Sequence, residues 1–258
     1  MIRYLLISSI LIAFTACNVS SWQSILNNSQ LTESEVVDGL KTALRIGTEK
    51  AVQVTSQKDG YFRDQAIRIL LPEEASKALV TLREAPGGEQ LYQSAVAPVV
   101  DDLVEALNRS AENAASQAAP IFKDAITGMT IGDAWDILNE NYQNAGNRSA
   151  TVYFSDKTYD RLAQLFKPAI DQSLDKPVVN NISANNLWNK FVKSYDAIAK
   201  SPANLLMRLE PVKEPDLSMY VTSRALDGLF VKVADEEVKI RKDPYQYAIQ
   251  ILEKVFGK

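Results

Sequence analysis

Between Gly39 and Ala51 a small residue recurs every four positions: Gly39, Ala43, Gly47 and Ala51. Positions four apart share one face of an α-helix. Val36, Leu40, Leu44 and Val54 continue the helical apolar stripe on either side. A row of small side chains lets a second helix approach the backbone closely. Each glycine costs about 1 kcal/mol in helix propensity, so the row predicts tight helix packing that offsets the loss. The start of the helix is also written in the sequence. Thr32-Glu33-Ser34-Glu35 has the capping-box pattern, with Thr32 as N-cap and Glu35 reaching back to it.

Prolines and glycines divide the rest of the chain. Lys58-Asp59-Gly60 stops the first helix, and a short segment from Tyr61 to Leu71 leads to Pro72, a first-turn proline for the next helix. Pro86-Gly87-Gly88 is a turn. From Glu89 to Met129 the period is helical, and Pro98 and Pro120 are expected to kink or restart it. Thr130 with Asp133 caps another helix through Trp135 and Leu138. After a loop at Asn144 to Asn147, a helix runs through Tyr153, Phe154, Leu162 and Phe166 to Pro168. Pro177 and the run Asn180 to Asn186 break the pattern before a helix from Trp188 to Ile198. Pro202, Pro211 and Pro215 mark a connection to one long helix, Leu217 to Arg241. Asp243-Pro244 opens a closing helix that stops at Gly257. Alternating patterns of strand length are absent. The expected fold is all-α, a single irregular multi-helix bundle over residues 31–258, with roughly eight to ten helices and no sheet.

The N-terminus predicts a location. Arg3 is followed by an apolar run, Tyr4 to Phe14, of signal-peptide length and too short to span a bilayer. Phe14 does not suit an ordinary cleavage site, whereas Ala16 before Cys17 suits lipoprotein processing. Residues 1–16 are therefore expected to be removed. Cys17 is expected to carry lipid, with 17–30 as a polar tether rich in Asn, Ser and Gln. Asn18 in the second mature position favours the outer membrane of a Gram-negative host, facing the periplasm.

The composition closes off several chemistries. The chain has no histidine and one cysteine, which removes Ser–His and Cys–His nucleophile pairs, imidazole metal ligands and any internal disulfide. A net charge of −4 argues against a nucleic-acid partner. No phosphate loop, dinucleotide fingerprint, calcium loop or nucleophile elbow is present. Neither a cofactor nor a metal site is expected.

Several stretches taken in order resemble an uncharacterised bacterial envelope family, the domain of unknown function DUF4197. They are Gly39-Leu40-Lys41 with Ala43-Leu44, Lys58-Asp59-Gly60-Tyr61, Ile69-Leu70-Leu71-Pro72, Pro120-Ile121-Phe122 with Asp124-Ala125-Ile126, and Phe166-Lys167-Pro168. The densest block is Tyr220-Val221-Thr222 with Ala225-Leu226-Asp227-Gly228-Leu229-Phe230, followed by Glu236-Glu237, Ile240-Arg241 and Asp243-Pro244. The resemblance runs from about residue 32 to the C-terminus. It implies a helical, exported, often lipid-anchored protein, and it brings no catalytic residues.

Four features carry candidate chemistry, each beside a plainer account. Asp227 shares a helical face with Tyr220, Ser223, Val231, Ala234 and Val238. A carboxylate desolvated there has a raised pKa and suits acid–base work or cation binding; the plainer account is an ion pair with Arg224 or a hydrogen bond to a neighbouring loop. Asp235-Glu236-Glu237 resembles a metal cluster, but consecutive helical residues diverge by about 100°. A solvated face, with Asp235–Lys239 and Glu237–Arg241 pairs, is the simpler expectation. Asp59 and Tyr61, in Lys58-Asp59-Gly60-Tyr61-Phe62, form a candidate contact loop; the alternative is a helix C-cap, with Gly60 left-handed and the aromatics in the core. The aromatics Trp135, Tyr153, Phe154, Phe166, Trp188 and Phe191 are core residues or the lining of a lipid-like cavity. The leading expectation is a non-enzymatic, lipid-anchored interaction module of the envelope, meeting a protein partner. The alternatives are a binder or carrier of an apolar small molecule or lipid and, behind it, a histidine-free carboxylate hydrolase.

Overall fold

The computed structural model describes residues 31–138, 148–212 and 216–257. The expected signal segment, Cys17, the tether, the Asn144–Asn147 loop, Pro215 and the side chain of Trp135 lie outside them. Helix α1 (Glu33–Thr55) begins with the expected capping box: the Glu35 N–H donates to Thr32 Oγ1 at 3.3 Å and the Thr32 N–H to Glu35 Oε2 at 2.8 Å. Two C-terminal helices, α10 (Leu217–Lys242) and α11 (Gln250–Phe256), pack on the row of small residues. A Cβ added at Gly39 would lie 2.6 Å from Val255 Cγ2 of α11, and one at Gly47 would lie 3.2 Å from Val233 Cγ1 of α10. The small-residue row therefore serves two helices, one at each end.

The intervening chain is helical as expected. It comprises α2 (Glu73–Glu84), α3 (Gly88–Leu91), a π-helical turn (Tyr92–Val96), α4 (Ala97–Ala115), α5 (Ala118–Thr127), α6 (Ile131–Leu138), α7 (Ser149–Leu174), α8 (Ala184–Ala199) and α9 (Asn204–Met207). Pro98 has no N–H to give the Ser94 carbonyl, and the wide π turn carries the chain across that gap before α4 restarts. Thr130 and Asp133 cap α6 reciprocally, at 2.6 and 3.3 Å. Pro168 was expected to end its helix, yet α7 continues through it to Leu174. The last turn buries Ile170, Ser173 and Leu174, and that burial outweighs one lost backbone bond.

One small sheet corrects the expectation of none. Strands β1 (Pro177–Val179) and β2 (Ile182–Ser183) pair antiparallel, Val179 opposite Ile182. Asn180 and Asn181 both take positive φ, 48° and 62°, as a two-residue hairpin turn demands. The strands are too short to show periodicity in the sequence. Helix α10 packs along α1 and α7, and α4 lies against α7 and α8. Their shared core is continuous from Leu31 to Phe256.

Candidate functional site

Between α1 and α2 the chain crosses the bundle as a non-helical strap, residues 56–72. Buried polar side chains of α4 hold it from below. Asn108, fully buried, accepts the Ile69 N–H at 2.8 Å and donates to the Ile69 carbonyl at 2.7 Å, as a neighbouring strand would. Glu112, also buried, accepts the N–H groups of Tyr61 and Phe62, both at 3.1 Å, and the guanidinium of Arg109 at 2.8 Å. Arg109 reaches Asp59 at 2.7 Å, and this bond holds the Asp59 carboxyl below the usual carboxylate range.

The turn into the strap differs in detail from the sequence reading. Asp59, not Gly60, takes the left-handed conformation, with φ 71°. Gly60 is needed for space: a Cβ there would lie 2.4 Å from the Val54 carbonyl oxygen. Tyr61 is a core residue and no surface contact, since it is fully buried and its hydroxyl donates to the Ala225 carbonyl at 2.7 Å. Burial pushes its phenol pKa far up. Its ring lies against Gly228, where an added Cβ would come within 2.6 Å of Tyr61 Cε1. The strap and the densest family-like block are thus in direct contact.

Asp227 lies on the outer face of α10. Its side chain is 48% exposed, so the expected desolvated carboxylate is not there. The buried face of α10 is Val221, Ala225, Gly228, Leu229 and Val233. The stripe of Tyr220 and Val231 forms its margin, because the strap covers α10 only partly. The Arg224 pair is present but long, at 3.5 Å, while the Tyr159 hydroxyl donates to Asp227 at 2.8 Å. Burial, reinforced by that carboxylate, raises the Tyr159 pKa to about 12.

A groove of about 550 Å³ runs between the strap and this margin, lined by Arg68, Leu70, Tyr220, Arg224, Asp227 and Val231 among others. The Tyr220 hydroxyl bridges it, donating to the carbonyls of Leu70 and Leu71 at 3.0 and 3.2 Å. Arg68 stands over the Phe62 ring at 4.6 Å and Arg224 over Tyr220 at 5.6 Å. Leu70 and Val231 are exposed beside them. Asp59 and Gly60 line a separate hollow of about 450 Å³. The groove offers apolar contacts next to charges of both signs: Arg68 and Arg224, each over an aromatic ring, and the carboxylates of Glu73, Glu74 and Asp227. Sequence reasoning missed Arg68, Leu70, Asn108 and Glu112; the one available signal was the Asn108–Glu112 pair, four residues apart amid the alanines of α4.

The acidic run on α10 is not a solvated face. Glu237 is buried and accepts the Ala150 and Thr151 N–H groups at 3.1 and 2.8 Å and the Thr151 hydroxyl at 2.6 Å, so it caps α7 from outside. Its expected pair with Arg241 forms at 2.6 Å, also buried. Lys239 pairs with Glu236 at 3.0 Å, and Asp235 instead meets Arg148 at 3.7 Å. Among the described residues no group of three or more His, Cys, Asp and Glu is placed to hold a metal ion. The described aromatics pack on one another, Phe122 with Phe230 at 5.5 Å and Trp188 with Phe191 at 5.4 Å.

No helix among the described residues is long and apolar enough to cross a membrane. Neither the curated proteins nor the solved structures contain a match to this chain. Residues 30–257, nearly the whole sequence, match a family model. The chain belongs to the family described as protein of unknown function, DUF4197.

Proposed function

We propose that this chain is a lipid-anchored helical interaction module of the bacterial envelope, held at the outer membrane through Cys17 and facing the periplasm. It works by binding a protein partner rather than by catalysis. The observation that carries the reading is the groove between strap and α10, where exposed Leu70 and Val231 stand beside Arg68 and Arg224. Apolar side chains next to arginines on aromatic rings are the composition of protein contact sites. The supports beneath it are buried and fully hydrogen-bonded, so the groove keeps its shape without a partner. The processing site at Ala16-Cys17 supports the anchor.

Site-specific photo-crosslinking in cells tests the contact. A photoreactive residue at Leu70 is expected to capture a discrete protein, and one at exposed Leu165 on α7 is not. Absence of any Leu70-specific product removes the partner reading. The anchor has its own assay: a clickable fatty acid labels the wild-type protein and not Cys17→Ser. An unlabelled wild type ends the lipoprotein reading.

A further inference from the structure

A second surface lies apart from the groove, on α8 and the loop that follows it. The exposed residues of α8 are Asn186, Asn189, Lys190, Lys193 and Ala197, with Lys200 at the C-cap. The helix carries a single acid, Asp196, and Lys200 pairs with it at 2.8 Å. Lys190 and Lys193 meet no acid within 4.0 Å among the described residues. In a chain of net charge −4, this is a basic stripe.

The stripe leads to a tip. In α9, Leu205 and Leu206 are 86% and 78% exposed, above every other large apolar side chain described. They are not on a loose loop. Asn204 clamps its two ends: Nδ2 donates to the Leu209 carbonyl at 3.1 Å, and Oδ1 accepts the Leu209 N–H at 2.6 Å. Arg208 turns the chain in the left-handed conformation, φ 54°, and returns its N–H to the Asn204 carbonyl at 2.8 Å. Leu209 and Val212 then anchor the segment in the core. The fold thus holds two leucines outward on a turn, with Arg208, the Asp196-paired Lys200 and one acid, Glu210, exposed around them, so the net cationic charge comes from Lys190 and Lys193.

We infer that α8 and the Leu205–Leu206 tip form a second membrane contact, docking the domain on an anionic lipid surface. An exposed pair of leucines needs no matching pocket in a fluid apolar phase, and a cationic stripe beside it complements anionic headgroups. The tether permits it. Thirteen residues, 18–30, reach up to about 45 Å when extended, comparable with the width of a domain whose radius of gyration is about 17 Å. The lipid at Cys17 and this face can therefore meet one bilayer, leaving the groove free for its partner. The docking is weak and reversible, unlike a spanning helix.

Flotation with vesicles tests this on residues 18–258, which carry neither the expected signal segment nor the lipid-bearing Cys17. The protein is expected to float with phosphatidylcholine vesicles containing phosphatidylglycerol at low salt, and to be released by high salt. Leu205→Ser with Leu206→Ser abolishes flotation, and each of Lys190→Gln and Lys193→Gln weakens it about fivefold. Leu165→Ser, which removes a leucine that is 52% exposed elsewhere, leaves flotation unchanged. Both replaced leucines are outside the core, so the double variant melts like its parent by circular dichroism. Failure of the parent to float, or a double variant that floats as well as the parent, overturns the inference. Neither result touches the crosslinking test of the groove.

Discussion

Tyr61 and Gly228 meet where the strap touches α10 with no space left between them. Gly228→Ala would bring a methyl group to 2.6 Å from the Tyr61 ring and 3.1 Å from Ile67 Cβ. The ring cannot swing aside without losing the bond from its hydroxyl to Ala225. The variant is expected to lose about 1–3 kcal/mol, the usual cost of overpacking, in chemical denaturation. Its neighbour behaves oppositely. Asp227 is exposed, and the Tyr159 hydroxyl retains the Ser223 carbonyl at 3.1 Å without it. Asp227→Ala is expected to change stability by no more than about 0.5 kcal/mol in the same assay. At this scale the sequence was only partly readable. The stop at Lys58-Asp59-Gly60 was visible, but which residue turns left-handed depends on the Arg109 partner of Asp59. Asn108 and Glu112 look like solvent-facing residues until a strap from some 40–50 positions upstream covers them.

Helix α7 begins with N–H groups that no residue of its own sequence satisfies. Glu237, on another helix, supplies the acceptor, and Arg241 neutralises it. Removing one partner leaves the other charged and buried. Glu237→Ala is therefore expected to cost about 3–5 kcal/mol by chemical denaturation. Adding Arg241→Ala should cost less than the two single changes summed, because they act on one network. Hydrogen exchange should show the loss first at the start of α7. The spacing of Glu237 and Arg241 was legible, but their burial was not. Helix α10 is enclosed by α1, α7 and the strap, so its hydrophobic period marks no single face. The same enclosure misled the reading of Asp227. Local capping, by contrast, was readable in full at Thr32–Glu35 and Thr130–Asp133, where both partners lie within four residues.

Taken whole, the molecule has no histidine, so no side chain of unperturbed pKa changes charge between about pH 5 and 8. Its stability should be flat across that range. Acid is different. Lys254 and the Thr32 N–H hold Glu35 at about 2, and Arg109 lowers Asp59. Burial raises Asp64, but its bonds to Lys232 and the Ala66 N–H more than offset this and leave it lowered. In each case the unfolded chain binds protons more readily than the folded one. The stabilisation is complete above about pH 4, the ordinary carboxylate value, and is lost as pH falls toward 2, the Glu35 value. Melting temperature followed from pH 8 downward should show a plateau and then a fall once acid is reached. A fall between pH 6 and 8 would contradict this account. The all-α class was legible because the helical period persists through most of the chain. The packing order was not, because the contacts that set it are distant in sequence.

The two helices seated on Gly39 and Gly47 come from the far end of the chain. During synthesis α1 emerges early, with its small-residue row facing neither of these helices. Its partners, residues 217–256, follow only after more than 150 further residues have been made. Until then the core lacks the surfaces that close it, and the strap lacks the α10 carbonyl that Tyr61 needs. A polypeptide arranged this way cannot close its core until nearly all of it has been made. The export proposed above would draw on that delay, since a narrow translocation channel passes only an unfolded chain.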